Sequence, residues 1–178
     1  MRSEGIAAGL VVAVPTVGEL PALITLVNAL AAEPNFLFIN PIDPIEGVAV
    51  LRSHLATIAT SADQVVLVAR AGGDLTGLIT GIRGAHPARR GSVEIGLGVR
   101  SDCRSHGIGN ALLKGLESWA RIAGCHRLHL RVTTDNIAAI TLYHRYGFSV
   151  EGVIRAGALI DGHFYDDLQM AKILVPSH

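Results

Sequence analysis

The sequence has little cysteine, little charge and no excess of either sign. Two cysteines in 178 residues, Cys103 and Cys125, build neither a disulfide framework nor a zinc site. A reduced, cytoplasmic setting is the simpler expectation. Charged residues make up 17% of the chain, with 15 basic against 15 acidic. That balance argues against nucleic-acid and membrane-surface partners, which call for a basic excess. No apolar run is long enough to span a bilayer. The short run Ile6 to Val14 is interrupted upstream by Glu4 and followed by Pro15, without a clear small-residue cleavage site, so no signal peptide is expected. Repeats, low-complexity tracts and linkers are also missing, and one domain over residues 1–178 is expected. The eight histidines are scattered, and His126 and His129 fall on opposite faces of one strand, so no metal site is expected.

What is present is a periodic pattern. Gly9 to Val14 reads as an opening strand. Thr16 and Glu19 have capping-box spacing, and Leu20, Leu23, Ile24, Val27 and Leu30 follow helical spacing up to Pro34. A second helix is expected from Ile45 to Ile58. Strands at 65–69, 75–83 and 92–99 are joined by short turns, as in an antiparallel meander. A helix follows Arg104 and ends near Gly124, then come a strand at 126–132 and a helix at 136–146. A hairpin closes the chain, 148–160 and 164–175, around Asp161-Gly162. The expected fold class is α/β in the α+β sense, a mixed, mostly antiparallel sheet flanked by helices.

One segment stands out: VEIGLGVRSDCRSHGIGNALL, from Val93 to Leu113. On the strand, Glu94, Gly96, Gly98 and Arg100 share a face left bare beside a carboxylate. Glycines there imply a bulge, close helix packing or a ligand lying along the backbone. Arg104-Ser105-His106-Gly107-Ile108-Gly109 then opens an amphipathic helix, whose unpaired N–H groups and partial positive charge suit a phosphate. No Gly-Lys-Ser/Thr follows, so it is not a Walker loop, and the dinucleotide fingerprint is incomplete.

Arg104-x-x-Gly107-x-Gly109 resembles the acyl-CoA pyrophosphate loop of the GNAT superfamily of N-acetyltransferases. Asn136-x-x-Ala139-x-x-Leu142-Tyr143-x-x-Tyr146-Gly147-Phe148 is similar to a second segment of that family, at a matching separation. Cys103, where an aromatic is frequent, and Asn110 depart from the pattern without removing a backbone donor.

The resemblance implies acetyl transfer from acetyl-CoA, the cosubstrate, to an amine by direct attack. It implies Tyr143 as general acid at the sulfur and Asn136 as a hydrogen-bonding partner of pantetheine, although core packing and helix capping would also account for them. Leu97 and Val99 would offer backbone groups to pantetheine, and Arg104, Ser105, His106, Gly107, Ile108 and Gly109 would cradle the pyrophosphate. Glu94, on the bare face, is the candidate base, with a surface carboxylate as the plainer reading. Asp166 and Asp167 could hold a cationic substrate or serve hairpin hydrogen bonding. A small-molecule amine is the expected acceptor; a protein N-terminus or lysine, or a non-catalytic acyl-CoA sensor, are the alternatives. A homodimer is an expectation from the same resemblance.

Overall fold

Gly72 and Gly73 both take positive φ, 62° and 90°, which is what a two-residue turn between twisted strands demands. That turn joins β2 (Gln64–Ala71) to β3 (Asp74–Arg83), and β4 (Ser92–Val99) continues the meander. The computed structural model describes residues 9–33 and 40–174. Ile6 to Ala8, the expected helix stop at Pro34 and Val175 lie outside the described residues.

The remaining elements are β1 (Val11–Ala13), α1 (Leu20–Ala31), α2 (Glu46–Thr60), α3 (Ile108–Ile122), β5 (Arg127–Thr133), α4 (Ile137–Arg145), β6 (Ser149–Ile160) and β7 (His163–Ile173). They form a seven-stranded sheet in the order β1-β2-β3-β4-β5-β7-β6. Every neighbouring pair is antiparallel except β4 with β5. This is the mixed, mostly antiparallel sheet that the pattern implies. The opening strand is shorter than expected: only Val11–Ala13 pair with β2. Its end is fixed by Glu19, whose carboxylate accepts from the Thr16 N–H at 2.7 Å and pairs with Arg70 of β2. The Arg70 guanidinium holds that carboxyl down at about 2.

Two apolar layers sandwich the sheet. On one side α3 and α4 bury Ile108, Leu112, Leu116 and Tyr143 against Ile79, Val93, Leu128, Leu130 and Met170. On the other, α1 buries Leu23, Leu26, Val27 and Leu30 against Val68, Leu75 and Leu78. Among the described residues no helix is long and apolar enough to cross a membrane.

Candidate active site

The site begins where the sheet comes apart. The parallel ladder between β4 and β5 has three pairs, Ser92↔Arg127, Val93↔Leu128 and Glu94↔His129, and then stops. β3 stays paired with β4 through Val99, and β7 with β5 through Thr133. The two strands therefore diverge beyond Glu94. The bonds Gly84 N–H to Ser92 O and Arg100 N–H to Thr76 O frame the β3–β4 ladder. With the antiparallel alternation, they turn the main-chain groups of Glu94, Gly96 and Gly98 toward β3. Those of Ile95, Leu97 and Val99 are turned into the gap. The Val99 carbonyl already accepts there from Arg104 Nε at 3.1 Å. Backbone polarity left open at a sheet edge needs a partner. An extended chain bearing amides can supply it, which is why Leu97 and Val99 fit pantetheine.

The glycines on β4 differ from one another. The β3–β4 register has no shift, so β4 carries no bulge. Gly96 is exposed opposite Thr80, whereas Gly98 is buried beside Leu78, which belongs to the layer beneath α1.

The loop after β4 is shaped for an anion. Ser105 (φ 65°) and Gly107 (φ 78°) both lie in the left-handed region, separated by His106. Such an alternation curls successive N–H groups toward one point. Among the described residues, the N–H groups from Ser105 to Asn110 make no backbone hydrogen bond, and Ile108, Gly109 and Asn110 form the first turn of α3. The residues present thus fit a pyrophosphate. His106 Nδ1 lies 3.2 Å from the Cys103 carbonyl, which fixes the loop. Arg104 is occupied in this structure: its guanidinium pairs with Glu33, just past α1, whose other oxygen accepts from the Ser101 N–H at 2.9 Å. That partner is 71 positions away and no sequence signal announces it.

Asn136 caps α4, its side chain accepting from the Ala139 N–H at 3.2 Å. The cap uses only the amide oxygen and leaves the two NH₂ donors unengaged by it. Two turns on, Tyr143 is 6% exposed, with its ring centroid 5.6 Å from that of Phe148. Burial pushes the Tyr143 hydroxyl up to about 12, so it is protonated throughout the neutral range. Tyr146 is also raised, by burial and by Glu117 beside it. An unfolded chain would ionise both phenols near ~10. The stability they contribute is complete below pH ~10 and falls as pH climbs through the folded values. Urea melts at pH 8 and pH 11 should show this loss, and Tyr143→Phe should reduce it.

Glu94 is exposed, and its register partner on β5 is His129. Burial lowers the His129 pKa, with Glu94 partly offsetting it, so the imidazole is neutral at pH 7. His129 is the residue that sequence reasoning missed here. Only the parallel pairing of β4 with β5 brings it to Glu94. Cys103 and Cys125 are buried and their thiols are pushed up by desolvation, which leaves neither as a thiolate nucleophile.

Comparison with known proteins identifies the family. The model of the acetyltransferase (GNAT) family matches residues 34–148. The L-amino acid N-acetyltransferase AaaT of Escherichia coli K12 is 32% identical over 111 residues, covering 60% of this chain and 67% of that one. A GNAT-family acetyltransferase from Streptococcus pneumoniae superposes with a TM-score of 0.83 at 24% identity, over 94% of this chain and 100% of the other. The yncA acetyltransferase of Salmonella typhimurium, solved with its cofactor acetyl-CoA, superposes with a TM-score of 0.78 at 21% identity, over 94% and 95%. With the splayed sheet, the free loop donors and the matching sequence segments, this chain belongs to the GNAT family of acetyl-CoA-dependent N-acetyltransferases.

Proposed function

We propose that the acceptor is a primary amine of a small molecule, acetylated directly at the mouth of the β4–β5 gap. The observation that carries this reading is the pairing of Glu94 with His129 where the gap opens, next to backbone groups suited to pantetheine. The similarity to an enzyme named for L-amino acids supports a small acceptor. Acetyl-CoA, when bound, supplies the activated acyl carbonyl. The chain's own residues do the rest. An alkyl amine has a pKa near ~10, so about one in a thousand is neutral at pH 7. Glu94 takes the amine proton, through water, with neutral His129 as its neighbour. The loop N–H groups from Ser105 to Gly109 bind the pyrophosphate, and Arg104 exchanges Glu33 for it. Backbone groups of Leu97 and Val99, with the Asn136 amide, orient pantetheine. The Tyr143 hydroxyl presents its proton toward the sulfur.

The test is an acetyl-CoA turnover screen against amino acids, other amines and N-terminal peptides. Turnover of peptides alone would reverse the acceptor class. Glu94→Gln should lower kcat about 100-fold and change the pH–rate profile. An unchanged profile removes Glu94 as the base. Two further readings belong here. The edge strand β6 and the hairpin tip expose Val153, Leu159 and Phe164, which supports a homodimer through that edge. The scarcity of cysteine supports a cytoplasmic setting, and one domain over 1–178 remains the organisation proposed.

A further inference from the structure

Two polar atoms on the sheet have no part in that mechanism. Thr133 of β5 and Asp167 of β7 are register partners, and each is 2% exposed. Thr133 Oγ1 and Asp167 Oδ1 are sealed from solvent, and neither has a hydrogen-bond partner among the described residues, the other included. A buried carboxylate oxygen without a donor is costly, so this one is built for a donor that comes from elsewhere.

The surroundings say what kind. The nearest cation is Arg131, whose Nε lies 3.9 Å from Asp167 Oδ2, too far for a hydrogen bond. Its side chain is 53% exposed, so it can leave at little cost. Gly157 of β6 lies over the same oxygen: a Cβ there would stand 2.7 Å from Oδ2, so only bare backbone fits beside the carboxylate. Neighbouring Asp166 is used locally instead, accepting from the Ala156 N–H at 2.8 Å and pairing with Arg155 at 2.9 Å. The hairpin's hydrogen bonding is thus the work of Asp166, and Asp167 is left over.

Alternation along β5 puts Thr133 on the same face as His129 and Arg131. Thr133 is four residues beyond His129, or about 13 Å along the strand. We propose that Asp167 and Thr133 receive a second cationic group of the acceptor, remote from the nitrogen that is acetylated. An ammonium carries three donors and no acceptor, so it can serve Oδ1 and Oγ1 together and neutralise the carboxylate. Arg131, beside Oδ2 in the free protein, swings outward when that cation arrives. The acceptor class is then a long diamine rather than a simple monoamine. This inference rests on the small-amine reading above.

The experiment uses the full chain, acetyl-CoA and a ladder of α,ω-diaminoalkanes, each paired with the monoamine of equal length. The wild type should prefer the diamine, most strongly where its length spans the distance from Glu94 to Asp167. In Asp167→Asn the KM for that diamine should rise about 10-fold to 100-fold, the range lost with a charge-assisted hydrogen bond. The diamine-to-monoamine ratio of kcat/KM should collapse toward unity. Thr133→Val should shift the ratio the same way by a smaller factor, and it carries the test if the Asp167 variant does not fold. Wild-type turnover of both amines without preference, or an unchanged ratio in the variants, overturns the subsite and points to a buried water as the donor. Acetyl-CoA binding with no amine acetylated overturns the parent reading instead.

Discussion

Tyr143→Phe should lower kcat by about 100-fold to 10,000-fold while the KM for acetyl-CoA stays near the native value. The substitution keeps the ring, and with it the 5.6 Å packing on Phe148, and removes one oxygen. Its effect is therefore chemical. The magnitude follows from what the hydroxyl does. The departing sulfur develops negative charge, and an alkyl thiol has a pKa near ~8.5. Tyr143 at about 12 is the weaker acid, so in the proposed reaction its main contribution would be a strong hydrogen bond to that charge. Such a donor acts mostly in the transition state, which is why kcat should carry the loss. Steady-state thiol release, with a pre-steady-state check that chemistry limits turnover, decides the matter. A wild-type kcat under that condition removes Tyr143 from the reaction.

Phe148→Ala should destabilise the protein by about 3–5 kcal/mol, measured by urea unfolding. Phe148 is 1% exposed and lies between two rings, 5.6 Å from Tyr143 and 6.4 Å from Tyr146. Its N–H also closes α4 by donating to the Tyr143 carbonyl at 2.9 Å. A domain of this kind is stable by about 5–15 kcal/mol in all, so the loss is a large share. Turnover should fall as well, because the cavity removes the wall that holds Tyr143 in place. Phe148→Leu, which refills most of the volume, should recover part of both losses. Recovery of stability without recovery of turnover would separate packing from positioning.

The elements were legible wherever local chemistry bounds them. β4 runs from Ser92 to Val99 as its alternation implies, and the hairpins turn at Gly72-Gly73 and Asp161-Gly162. The apolar run is longer than the opening strand itself, whose C-terminal end is set by the Glu19–Arg70 pair, a contact across 51 positions. The glycine loop and the capping role of Asn136 were readable for the same local reason. Three features were not. The divergence of β4 from β5 depends on which strands become neighbours, and alternation does not encode that. His129 joins Glu94 only through that pairing. The Asp166-Asp167 doublet offers two carboxylates, and only the fold sends one outward to Arg155 and seals the other beneath Gly157.

The short parallel ladder has a mechanical consequence. Among the described residues, three register pairs are the only strand-to-strand tie between the β1–β4 half and the β5–β7 half. A pantetheine arm lying in the gap would act as a surrogate strand, lengthening that tie by hydrogen bonds the polypeptide cannot make for itself. The amides of Ile95 and Leu97 would then exchange with solvent quickly in the free protein and slowly in the loaded one. Cosubstrate capture and the completion of the sheet would then be a single event, and the enzyme would be stiffest when it is ready to react.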